Sequence, residues 1–132
     1  MIKALALLFA ALLIAGCGSQ PAAPASAKTE TPATVEVSFA KDVQPILTQT
    51  CMPCHAGGKD AKGSYDVTGY AGVMGNGSDS IPDVIPGNAD SSILYLRLTG
   101  TLQPQMPKAR PPLNAGQLTT VKKWIDQGAK NN

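Results

Sequence analysis

The sequence predicts a small all-α domain of short helices joined by long glycine- and proline-rich loops. Three observations lead there. Between residues 38 and 132 no convincing two-residue apolar alternation occurs, which argues against a sheet. Helical spacing behind recognisable caps occurs in separate stretches. The segments "GGKDAKGSYDVTG", "MGNGSDSIPDVIPG" and "GTLQPQMPKARPPL" between them are dense in Gly and Pro, which break regular structure.

The elements follow in order. "SFAKDVQPILTQT" predicts a short helix with Asp42 as its cap, Pro45 confined to the first turn, and Val43, Ile46 and Leu47 apolar. "NADSSILYLRLTG" predicts a second helix with Asp90 as cap, Ile93, Leu94 and Leu98 apolar, and Gly100 as its stop. The strongest helix is the last. In "PPLNAGQLTTVKKWIDQGAK", Asn114 caps, Gln117 stands three residues on as in a capping box, and Leu113 reaches Leu118 as a staple. Leu118, Val121 and Ile125 then share a face with Trp124 beside it, and Gly128 ends the run. About ninety-five residues with few aromatics make a thin core, so a loop-built domain of this kind needs a staple.

The chain before residue 38 reads differently. "MIKALALLFAALLIAGC" has one early cation, Lys3, and an apolar run from Ala4 to Ala15, short for a bilayer span and ending in small residues. Residues 1–16 are therefore expected to be an export signal. "LIAGC" resembles a bacterial lipobox, which makes Cys17 the expected lipidated first residue of the mature protein. Two or three acyl chains, at about 0.8 kcal/mol per buried methylene, would hold it on a membrane without a transmembrane helix. Residues 17–37 are expected to be a flexible Ala-, Pro- and Thr-rich tether, able to reach up to roughly 60 Å at about 3.1 Å per residue. Residues 38–132 are expected to form one domain. The expected location is the periplasmic or extracellular side of a cell membrane or outer membrane. The net charge of +2 says little about partners, and no basic block or aromatic–basic interleaving argues for nucleic acid, which is not an expected partner.

Within the domain "CMPCH" carries the chemistry. Structural zinc needs four ligands, but the chain has no second C-x-x-C and no histidine besides His55. A redox dithiol suits an exported protein but expects a βαβ setting that these flanks lack. In C-x-x-C-H the two thiols form thioether bonds to a porphyrin and the adjacent imidazole binds its iron, so all three must be neighbours in sequence. The single histidine stands at that position. Cys51 and Cys54 are thus the expected attachment residues, and His55 the iron ligand, of one covalently bound haem c.

With one histidine, bis-imidazole ligation is excluded. The sixth ligand is then a methionine, a weaker group such as lysine, or nothing. Met1 leaves with the signal and Met52 lies between the two cysteines, so Met74 and Met106 remain. Glycines after Met74 give freedom rather than position. Pro104, Pro107, Pro111 and Pro112 stiffen the segment around Met106 and lower the entropy cost of presenting a weak thioether, which favours Met106.

From about Ser38 to Ala129 the chain resembles a monohaem c-type cytochrome domain of the planctomycete type. "FAKDVQPIL" before "CMPCH", "PGNADSSILYLRL", "MP" and a terminal "WIDQGA" carry the resemblance. It implies a small cytochrome c fold around one haem, with first and last helices crossing so that Leu47 and Ile46 meet Trp124 or Ile125. It implies Cys51 and Cys54 as attachment residues, His55 as proximal ligand and Met106 as distal ligand. Tyr65, Tyr70 and Tyr95 are candidates to line the pocket, and Arg97, Lys108 and Arg110 to pair with propionates. Each of these residue types is more often a plain surface or core residue, so none is assigned a role.

Two function classes follow. A closed His/Met iron makes a one-electron carrier, not an enzyme, serving an unidentified redox partner protein. An open or labile distal position makes a small-ligand sensor or a peroxidase-like enzyme. The sequence favours the carrier, because no second histidine or acid–base pair stands ready to split an O–O bond.

Overall fold

The computed structural model describes residues 35–78 and 81–132. The expected signal peptide, Cys17 and the tether up to residue 34 lie outside them. Four short α-helices make up the regular structure, with no strand among the described residues: α1 (Gln44–Cys51), α2 (Tyr70–Val73), α3 (Ile93–Thr99) and α4 (Ala115–Asp126). No helix among those residues is long and apolar enough to cross a membrane. The all-α class expected from the patterning is what the described residues adopt.

The first helical segment begins earlier than expected. A π turn, Phe39–Val43, runs directly into α1. Its cap is Ser38 rather than Asp42. Ser38 is extended (φ −88°, ψ 132°), and its hydroxyl accepts from the Lys41 amide at 3.2 Å. Asp42 returns the bond, its carboxylate accepting from the Ser38 amide at 2.8 Å. Asp42 therefore closes the turn from inside, because the helical path already starts at Phe39. Pro45 sits in the first turn of α1, where its missing N–H is tolerated.

A similar displacement occurs before α3. Asn88, not Asp90, is the cap: its side chain accepts from the Ser91 amide at 3.0 Å and opens a 3₁₀ turn over Ala89–Ser91. Asp90 faces outward to Lys122 at 3.0 Å. The buried Ser92 hydroxyl donates to the Asn88 carbonyl at 2.8 Å and accepts from the Ile85 amide at 2.9 Å, knitting the preceding loop to α3. Gly100, at φ 83°, ends α3 in the left-handed conformation that glycine reaches without strain.

α4 forms as expected, with the full capping box. The Asn114 side chain accepts from the Gln117 amide at 2.9 Å, and the Gln117 side chain accepts from the Asn114 amide at 3.0 Å. Val121, Trp124 and Ile125 are buried, as is Leu113, with Leu118 packed at the edge of the same core. Gly128 follows at φ 100°.

The core gathers on Trp124. Its ring lies 5.3 Å from Phe39 and 6.4 Å edge-on from Tyr70, and Phe39 meets Tyr70 edge-on at 5.2 Å. Leu47 is fully buried in the same core as Trp124 and Ile125, whereas Ile46 is only half-buried. The segment that packs on α4 is the π turn. The ends of the domain interlock there: Asn132 takes bonds from Ser38, Phe39 and Ala40, and Gln127 accepts from the Val37 amide at 2.8 Å. Val35 and Glu36 are also tied down, to Gln127 and Lys130.

Candidate functional site

α1 ends at Cys51, and the chain turns into "MPCH" with Met52 extended (φ −81°, ψ 153°). The His55 amide donates back to the Cys51 carbonyl at 3.2 Å, closing the turn. The stretch that follows is held to the same turn from below. The Lys62 amide donates to the Cys54 carbonyl at 3.0 Å and the Val67 amide to the His55 carbonyl at 2.9 Å. Both cysteines are free thiols, Cys51 half-buried and Cys54 exposed. Burial pushes the Cys51 thiol up, opposed by the Thr50 hydroxyl and by Arg110.

His55 is oriented by one contact. Its Nδ1 stands 3.2 Å from the carbonyl oxygen of Tyr65. A carbonyl only accepts, so Nδ1 carries the proton and Nε2 presents its lone pair, the tautomer a metal ligand needs. The Tyr65 ring meets the imidazole edge-on at 6.0 Å, and its hydroxyl donates to the Val73 carbonyl at 3.1 Å. Burial, then the charges of Asp83 and Cys51, raise that hydroxyl's pKa well above its usual value.

Two cavities open beside His55. The larger, about 600 Å³, is lined by the attachment turn, by Lys62 and Gly63, and by Met106 to Arg110. The smaller, about 170 Å³, is walled by Tyr65, Val67, Ile93, Leu94 and Leu98. Cys51, His55, Lys62, Gly63 and Met106 border both. The larger volume is in the range of roughly 300–1,000 Å³ that cofactor sites occupy. Two thiols and an imidazole with a free Nε2 at the larger cavity, with the apolar wall of the smaller one adjoining at Cys51 and His55, fit a covalently held porphyrin. A tetrahedral zinc site finds no such support: among the described residues, no three His, Cys, Asp or Glu side chains converge as ligands.

The two candidate methionines part company. Met106 is half-buried at both cavities, and its amide donates to the Arg97 carbonyl at 2.9 Å. Met74 caps the C-terminal end of α2, packs against the core and borders neither cavity.

The aromatic and cationic candidates separate as well. Tyr65 lines the smaller cavity, but Tyr70 is a core residue whose hydroxyl donates to the Ala129 carbonyl at 2.8 Å, and Tyr95 lies beneath the Lys122 ammonium at 5.4 Å. Arg97 and Lys108 border the cavities. Arg110 is committed to the backbone, with Nη1 on the Gln49 carbonyl and Nη2 on that of Met52 at 3.0 Å. Lys62, Gly77 and Asp83, not singled out by sequence reasoning, also border the site, and the Asp83 carboxylate accepts from the Gly77 amide at 2.6 Å. No local pattern marks them, since long loops bring them in.

The family model described as Planctomycete cytochrome C matches residues 51–110, a span that opens on the first cysteine of the turn and closes on Arg110. No curated protein and no solved structure matches the chain.

Proposed function

We propose that this planctomycete-type cytochrome c-like, haem-binding domain carries one haem c and works as a one-electron carrier, tethered by lipid on Cys17 to the outer face of a bacterial membrane. The observation that carries the reading is that Cys51, His55 and Met106 border the same two cavities. Cys51 and Cys54 supply the two thiols for attachment, and their spacing matches what two vinyl groups need. Tyr65 holds His55 with Nε2 free, and Met106 offers a thioether as the sixth ligand. When bound there, the group supplies a reversible one-electron couple, whose potential a soft thioether raises.

The surroundings favour storage of an electron over substrate chemistry. The Tyr65 hydroxyl is engaged with the Val73 carbonyl and held in its neutral form, so it is a poor proton donor to the cavity. No second imidazole stands in the chain. The mature protein is expected to show a mass increase of one haem that survives acid–acetone extraction. Replacing both Cys51 and Cys54 by Ser should abolish it, and an extractable pigment in the native protein would refute the assignment. Native protein should partition into detergent and Cys17→Ser should not; native protein wholly in the aqueous phase would refute the anchor.

A further inference from the structure

Arg110 bridges the two sides of the site. Gln49 lies in the last turn of α1, and the residue four places on is Pro53, which has no N–H to give its carbonyl. Arg110 supplies that donor from across the cavity mouth, and its second nitrogen takes the carbonyl of Met52, the residue next to Cys51 in the attachment turn. At the other end of the same segment the Met106 amide is bonded to the Arg97 carbonyl in α3. Residues 106–110 are thus a strap fixed at both ends, with Pro107 within it and Pro111 and Pro112 behind it.

We infer that Arg110 is a positioning residue, a latch that joins the strap bearing Met106 to the attachment turn and so keeps the distal side of the site closed to outside ligands. The inference rests on Met106 as sixth ligand. A planar guanidinium presents two N–H donors in a fixed fork to both carbonyls at once, whereas an ammonium on its flexible stem holds no such geometry. Releasing it leaves residues 106–110 tied to α3 at one end and to the buried Leu113 beyond Pro112 at the other, with neither of Arg110's bonds to the attachment turn, so the fraction of molecules with the thioether swung away rises. Apparent affinity for an external ligand rises with that fraction.

The test uses the haem-loaded full chain with carbon monoxide as the probe, comparing native protein, Arg110→Ala, Arg110→Lys, Met106→Ala and the double variant Arg110→Ala/Met106→Ala. Arg110→Ala should weaken the near-infrared sulfur-to-iron band of the ferric form and raise carbon monoxide affinity of the ferrous form about tenfold. Arg110→Lys should restore part of both and carries the test if the alanine variant does not mature. In the Met106→Ala background the Arg110 change should add nothing, because the latch then has no ligand to hold; a merely structural role would act in both backgrounds. Native band and native affinity in Arg110→Ala and Arg110→Lys would overturn the latch, as would an equal effect in both backgrounds. If Met106→Ala itself keeps the band, the ligand assignment fails and the latch falls with it.

Discussion

Removing the Phe39 ring tests how the domain is closed, because that residue brings the segment leading to the attachment turn onto α4. Phe39 is 4 % exposed and touches both Tyr70 and Trp124 at ring-centre distances of 5.2 and 5.3 Å. Deleting a buried Phe side chain to Ala costs about 3–5 kcal/mol, depending on how far the neighbours collapse into the space. Here both neighbours are moored. The Tyr70 hydroxyl is bonded to the Ala129 carbonyl at 2.8 Å and the Trp124 indole N–H to that of Lys130 at 2.9 Å. Neither ring fills the hole without losing that bond, so Phe39→Ala is expected to cost about 4 kcal/mol. Phe39→Leu, which keeps most of the volume and loses the ring contacts, should cost about 1–2 kcal/mol. Trp124, the only tryptophan, is a direct reporter of unfolding in urea. With a slope of about 2 kcal/mol per molar, the alanine variant's midpoint should fall by roughly 2 M. A fall below about 0.5 M would mean that the aromatic cluster does not hold the π turn to α4, and the packing argument would fail.

The cavity borders separate the two methionines by spectroscopy: Met106→Ala should remove the near-infrared band of the ferric protein and Met74→Ala should retain it, whereas the reverse would move the ligand to α2. A pH effect is expected at Asp66, whose carboxyl is held below its usual range by Thr68, first through its side chain and then its amide, with the Gly58 amide adding. A lowered folded pKa favours the charged form in the native state. The stabilisation is therefore present above the unfolded value of about 3.9 and is lost as pH falls through the lower folded value. Native protein should exceed Asp66→Asn in urea stability at pH 6 and converge on it towards pH 3; a gap that does not change with pH would refute this.

What could be read from the sequence was what lies within one turn of itself. "CMPCH" sets two thiols and an imidazole on a single loop, and "NAGQ" closes its box within four residues, so both were legible without a tertiary structure. The cap of the first helix was not. Ser38 starts the π turn while its hydroxyl also reaches Asn132, at the far end of the chain, and Asp42 had the right chemistry one turn too late. Asn88 and Asp90 are both good caps by residue type, and Lys122, thirty-two residues away, draws Asp90 outward. Arg110 was read as a partner for propionates because its charge is visible in sequence. The carbonyl that Pro53 leaves without a donor becomes its partner only when the strap folds back. Tyr70 and Tyr95 were indistinguishable from Tyr65 for the same reason: which ring meets the site depends on loops that carry no periodic signal.

The central claim, a closed iron between His55 and Met106 that carries one electron, is tested most directly by the visible spectrum of the native protein in both redox states, with and without carbon monoxide. The account predicts low-spin spectra for ferric and ferrous forms, slow and incomplete carbon monoxide binding, and rapid electron exchange with a small redox partner. A stable high-spin ferrous spectrum that shifts at once on adding carbon monoxide would contradict it and make the domain a ligand-binding or peroxidase-like site.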